Sequence, residues 1–163
     1  MQNRIIRWIA TVAALGALVA LPACDRDDHD DHEDLAILEV RDRTAGGQPV
    51  VATWTMGTGW TGELPVLVME GENPRLSLGF TATTSDGHTL TLQEDGEFFI
   101  QYWLAQGAPG GVINMDRDDL FHGDHVHVYP VEAGTTQIQF ELWHFDHVEQ
   151  STTPISVTVA EGG

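Results

Sequence analysis

Phe121-His122-Gly123-Asp124-His125-Val126-His127-Val128-Tyr129 is the stretch on which the reading of this chain turns. Valines at 126 and 128 alternate with histidines at 125 and 127, and a period of two is the signature of a strand. Val126 and Val128 then face a core, while His125, His127 and Tyr129 share the opposite face. Same-face neighbours on a strand lie about 6–7 Å apart at their Cα atoms, so two imidazoles can converge on one ion. Working outward, Pro130-Val131-Glu132-Ala133-Gly134 is turn chemistry. A second alternating run starts at Thr135, passes Ile138, Phe140 and Leu142, and ends in Trp143-His144-Phe145-Asp146-His147. The window from Phe121 to His147 thus holds His122, His125, His127, His144 and His147, five of the eight histidines, with Asp124 and Asp146 beside them.

The rest of the chain repeats the strand pattern. Leu35 to Arg43 and Pro49 to Thr55 flank the turn Thr44-Ala45-Gly46-Gly47-Gln48, which predicts a hairpin. Met56 to Gly62 reads as a loop. Short strands are expected at Leu64–Met69, Arg75–Thr84, Thr89–Leu92, Glu97–Leu104, Val112–Met115, His125–Tyr129, Thr135–His144 and Pro154–Ala160. Beyond Leu21 no segment sustains helical periodicity over three turns. Many short alternating runs punctuated by Gly, Pro, Asn and Asp predict an all-β sandwich. Trp54, Trp60, Trp103 and Trp143 are expected to pack.

The N-terminus has a different character. Arg4 and Arg7 precede an uncharged apolar run from Ile9 to Leu21, and the run ends in Leu21-Pro22-Ala23-Cys24. That is the build of a secretory signal, too short for a comfortable membrane span. Cys24 is the single cysteine, so an intramolecular disulfide is excluded. Asp25 to Asp34 then packs seven acids with His29 and His32 into ten residues, a composition that builds no core and predicts an acidic tether. Domain limits follow: 1–23 signal peptide, 24–34 tether, 35–61 hairpin and loop, 62–160 sandwich.

Charge narrows the partners. The chain carries 25 acidic residues against 7 basic ones, for a formal charge of −18. All the basic residues are arginines. Such a surface repels nucleic acid and anionic headgroups and favours cations.

Two resemblances add to this. Leu21-Pro22-Ala23-Cys24 resembles the bacterial lipobox, which implies cleavage before Cys24, lipid on its thiol and new amino group, and a place in the cell envelope on the periplasmic or surface side. Pro22 is a departure from the commonest residue there. Val131 to Thr136 leading into an alternating strand, with Ile155-Ser156-Val157-Thr158-Val159 at the end, resembles the closing half of bacterial immunoglobulin-like (Big-type) domains. That likeness runs from Gly62 to Ala160 and implies an immunoglobulin-like antiparallel β-sandwich. More narrowly, the chain resembles acidic bacterial lipoproteins that pair such a domain with scattered histidines.

In immunoglobulin-like order the start of the His125–Tyr129 strand and the end of the Thr135–His144 strand share a pole. His88, His122, His125, His127, His144 and His147 are then expected at one end of the domain. His125 and His127 are the expected core of a metal site, joined by His144 and His147. His122, His88, Asp124, Asp146, His29 and His32 are further candidates, with Asp124 and Asp146 also suited to orient imidazoles. Neutral imidazole with carboxylate suits Zn2+ first, and Cu2+ or Ni2+ as alternatives.

Three functions compete at this point. One is a lipid-anchored metal-binding protein for capture, buffering or delivery, with any transporter or receptor that takes the ion left open. Another is an adhesion or structural immunoglobulin-like module without metal, its histidines surface titrators. The third is a metalloenzyme. His-x-His on a β-sandwich is similar to copper–zinc superoxide dismutase, but that family's cysteine pair cannot form here and its later glycine-rich motifs are missing. No serine–histidine–acid or cysteine nucleophile pattern stands out either.

Overall fold

In the computed structural model the described residues are 34–163. The expected signal peptide, Cys24 and the histidines of the expected tether, His29 and His32, lie outside them. Eleven strands form, in chain order β1 Leu35–Asp42, β2 Val50–Thr55, β3 Gly59–Gly62, β4 Leu67–Met69, β5 Leu76–Thr84, β6 Phe98–Leu104, β7 Ile113–Asn114, β8 His125–Pro130, β9 Gly134–His144, β10 His147–Ser151 and β11 Ile155–Glu161. They divide into a six-stranded sheet, β3-β2-β1-β5-β8-β7, and a five-stranded one in which β9 is flanked by β6 and by β10 and β11, with β4 beyond β11. Within these, β1-β5-β8-β7 and β6-β9-β11 reproduce the A-B-E-D and C-F-G orders of an immunoglobulin-like sandwich. The expected all-β sandwich is the fold.

Alternation explains the packing. Leu38 and Val40 of β1, Leu78 of β5, Val126 and Val128 of β8, Ile100 and Tyr102 of β6, and Ile138 and Phe140 of β9 are all fully buried between the sheets. Phe140 sits at the centre, with edge-to-face contacts to Phe80 at 5.0 Å, Trp60 at 5.8 Å and Tyr102 at 6.4 Å. Such pairs add about 0.5–1.5 kcal/mol each beyond area burial. Trp54 and Trp60 pack as expected. Trp103 does not: at 43% exposure it lies on the outer face of β6, where its indole N–H donates to Glu141 at 2.8 Å.

The N-terminal hairpin forms and is built into the sandwich. β1 pairs with β5 along its whole length and contributes Leu35, Leu38 and Val40 to the core. Part of the expected loop, Gly59–Gly62, is the edge strand β3, paired to β2. Thr89–Leu92 makes only isolated bridges, Thr83 with Thr89 and Leu92 with Phe98.

The larger difference lies after His144. The expected loop there is a two-residue turn, Phe145-Asp146, followed at once by β10, so that His144 and His147 sit directly opposite each other. Tight turns of this kind want a positive φ, and Phe145 supplies it at 51°, unusual for a bulky side chain. β10 was hidden because His147-Val148-Glu149-Gln150-Ser151 lacks apolar alternation.

Candidate metal centres

The structure sorts the six described histidines into two clusters and one outlier. His122, His125 and His127 place one nitrogen each within 4.8 Å of the others. His144, His147 and Glu149 do the same with two nitrogens and a carboxylate oxygen. The first cluster hangs on β8, in the six-stranded sheet, and the second on β9 and β10, in the other sheet. His125 and His127 are therefore joined by His122, where His144 and His147 were expected to complete the quartet. Parity and topology indicated one end of the domain but not which sheet's face each ring would leave from. Both clusters border one segment, 93–98: Glu94 approaches His122 at 3.8 Å, and Glu97 approaches His144 at 3.0 Å. His88 is in neither cluster and pairs with Asp86 at 3.1 Å.

The three-histidine cluster is assembled by the chain that runs back along β8. After β7 the backbone returns antiparallel to β8, with His127 N–H donating to Leu120 C=O at 2.8 Å and His122 N–H to His125 C=O at 2.9 Å. Gly123 makes the reversal possible. Its φ is +75°, and a Cβ there would collide with the backbone of Gln93 and Glu94, so only glycine fits. The turn is stitched to both sheets, because Ile100 N–H donates to Gly123 C=O and Phe80 N–H to Asp124 C=O, each at 2.9 Å.

Segment 116–120 then lies over the face that sequence parity assigned to solvent. Leu120 is 2% exposed and His127 only 8%. Asp119 anchors the segment: its carboxylate accepts from the Tyr129 hydroxyl at 2.5 Å and from Arg117, whose guanidinium also sits 3.8 Å above the Tyr129 ring. Those bonds from Arg117 and Tyr129 hold the Asp119 carboxyl well below the usual carboxylate range. Burial pushes the His127 imidazole down from its ordinary value, and the positive charge of Arg75 adds to this. Both effects favour the neutral ring, the form that binds metal.

The hydrogen bonds fix the tautomers. His127 Nδ1 lies 3.1 Å and His122 Nε2 3.2 Å from the Asp119 carbonyl oxygen, and His125 Nδ1 lies 2.6 Å from an Asp124 carboxylate oxygen. Those oxygens only accept, so each of the three nitrogens carries the proton. In the neutral rings the lone pairs then fall on His122 Nδ1, His125 Nε2 and His127 Nε2. Imidazole oriented by carbonyl or carboxylate on its far nitrogen is the arrangement of metal-ligating histidine. Ring centroids 4.6, 4.8 and 5.2 Å apart keep the three together. Asp124 therefore acts from behind His125 as an orienting group. Glu94 Oε2 lies 3.8 Å from His122 Nδ1.

In the second cluster, Glu149 Oε1 lies 3.0 Å from His144 Nδ1 and 2.8 Å from His147 Nε2. Behind these, His144 Nε2 faces Glu97 Oε1 at 3.0 Å and His147 Nδ1 faces Asp146 Oδ1 at 3.4 Å. His144 ends the buried row of β9 and stacks on Phe98 with 4.6 Å between ring centroids. Glu149 and Glu97 escaped the sequence reading. The His147-x-Glu149 spacing, same-face in a strand, was the available signal for the first.

Compared with known proteins, the chain matches no family model, no curated protein and no solved structure. What fold and site define is an immunoglobulin-like β-sandwich whose histidine clusters could hold a metal ion.

Proposed function

We propose that this protein is a lipid-anchored extracytoplasmic metal-binding protein of the cell envelope, which captures, buffers or delivers divalent ions, zinc first. One observation carries the reading: three imidazoles, each with one nitrogen committed to an oxygen acceptor, gather one nitrogen apiece within 4.8 Å of the others. Three neutral nitrogens with Glu94 nearby suit four-coordinate zinc. Copper(II) would bind more tightly in solution by the Irving–Williams order, so affinity alone does not name the native metal. The lipobox-like run ending at Cys24 supports anchoring outside the cytoplasm, and the net charge of −18 supports cations over nucleic acid as partners.

The experiment is a calorimetric zinc titration of the chain against two variants, His125→Ala/His127→Ala and His29→Ala/His32→Ala. The account expects at least a tenfold loss of affinity in the first, about 1.4 kcal/mol, and near-native affinity in the second. Loss in the tether variant with retention in the strand variant would make the tether the site. A chain that takes up no zinc leaves the adhesion reading. Turnover assays on the loaded protein separate binding from catalysis.

A further inference from the structure

We infer that His144, His147 and Glu149 form a second divalent-metal site, filled independently of the three-histidine one and differing from it in having a carboxylate among its three gathered groups. The atoms that would face the ion are Glu149 Oε1 with His144 Nδ1 and His147 Nε2, which lie 3.0 and 2.8 Å from it, in a group that offers three ligand atoms within 4.8 Å of one another. Each ring turns its other nitrogen to a carboxylate, His144 to Glu97 and His147 to Asp146. That is the carboxylate–histidine–metal arrangement, twice over.

The Glu149 side chain, 5% exposed, is the most telling member. A carboxylate removed from water needs compensating positive charge or hydrogen bonds. One oxygen of Glu149 meets both His144 and His147. His144 in turn meets carboxylate oxygens at both nitrogens, and a neutral ring has a single N–H to offer. A metal ion among these atoms would place positive charge beside the Glu149 carboxylate. With bonds of 2.0–2.1 Å, tetrahedral zinc holds its ligand atoms about 3.3 Å apart. The 2.8 and 3.0 Å separations between Glu149 Oε1 and the two nitrogens need to open by only a few tenths of an ångström.

Position gives the site a consequence. His144 closes β9, His147 and Glu149 belong to β10, and Glu97 abuts the start of β6. The Phe145-Asp146 turn, with Phe145 in the left-handed region, sets the two imidazoles opposite each other. An ion here clamps the β9–β10 hairpin. The two ligand sets also differ in charge. The first gathers three imidazole nitrogens, and the second gathers two with a carboxylate in place of the third, which extends its range toward harder divalent ions such as manganese.

The test is zinc equilibrium dialysis on the full chain, expressed in a bacterial host, purified in detergent and carrying His29→Ala/His32→Ala to silence the tether. Two ions per chain are expected. Glu149→Gln and, separately, His147→Ala should each reduce this to one, with the affinity of the remaining ion unchanged. His147 is half exposed and outside the core, so its truncation leaves the fold intact. His122→Ala/His125→Ala should also leave one ion, and adding Glu149→Gln to it should leave none. Two ions retained in both Glu149→Gln and His147→Ala would overturn the second site, as would a background chain that takes one ion and loses it only with His122 and His125. A background chain that takes one ion and loses it only with Glu149 would uphold the second site and refute the three-histidine reading.

Discussion

Replacing Gly123 with alanine should damage fold and metal site together, by an amount that the structure divides into two parts. Gly123 has φ +75°, a conformation that costs a residue with a Cβ about 1–2 kcal/mol. The new methyl group would also strike the backbone of Gln93 and Glu94, which cannot swing aside as a side chain could. Overpacking of that kind costs about 1–3 kcal/mol. Gly87 isolates the first part: its φ is +90°, yet a Cβ there meets nothing within 4 Å. Gly87→Ala should therefore lose about 1–2 kcal/mol and Gly123→Ala about 2–5 kcal/mol. For a domain of this size each kcal/mol is worth roughly 3–5 °C in Tm. The turn at Gly123 also carries His122 and His125, so zinc affinity should fall at least tenfold in Gly123→Ala, about 1.4 kcal/mol, and stay unchanged in Gly87→Ala. Thermal unfolding by circular dichroism and a zinc titration on both variants measure this. Equal midpoints for the two variants, or native zinc affinity in Gly123→Ala, would refute the packing argument.

Three further outcomes are expected. Cys24→Ser should move the protein from the detergent phase to the aqueous phase of a detergent extraction; if both chains partition into water, there is no anchor. Asp119→Ala removes the grip of Tyr129 and Arg117 on the carbonyl that orients His122 and His127, and zinc Kd should rise about tenfold, as outer-shell losses do, an effect read by competition with a zinc indicator. The third concerns pH without metal. The His127 value is lowered in the fold, so below about pH 6.5 the unfolded chain takes up a proton before the folded one does, and stability falls as pH falls toward the folded value. In chelator, the urea midpoint should drop between about pH 7.5 and about pH 5.5, and drop less in His127→Gln; equal drops in both would contradict the burial of that ring.

Much of this was legible in the chain because alternation is a local signal. Val126 and Val128, Ile138, Phe140 and Leu142, and Ile155, Val157 and Val159 each declare an inner face, and those faces are the core. Asp124 beside His125 was likewise readable as an orienting partner. The burial of His127 was not. It depends on segment 116–120 folding over β8, held by a backbone carbonyl and by Arg117 on Tyr129, and none of these leaves a periodic trace. The division of the histidines into two clusters was hidden for a related reason. Strand parity gives the face of a sheet, whereas the sheet on which His144 would meet His147 depended on a two-residue turn through a left-handed phenylalanine. Glu149 followed from that turn and from the strand behind it.

The central claim is that His122, His125 and His127 bind one ion through particular nitrogens. Long-range 1H–15N spectra of the imidazoles during zinc titration test it most directly, since they report the state of each ring nitrogen. In the free protein the protons should sit on His122 Nε2, His125 Nδ1 and His127 Nδ1, the nitrogens that face Asp119 and Asp124. On zinc addition, His122 Nδ1, His125 Nε2 and His127 Nε2 should move together to metal-bound shifts while their partners stay protonated. Unchanged spectra for these three rings, with zinc taken up by His29 and His32 instead, would contradict it.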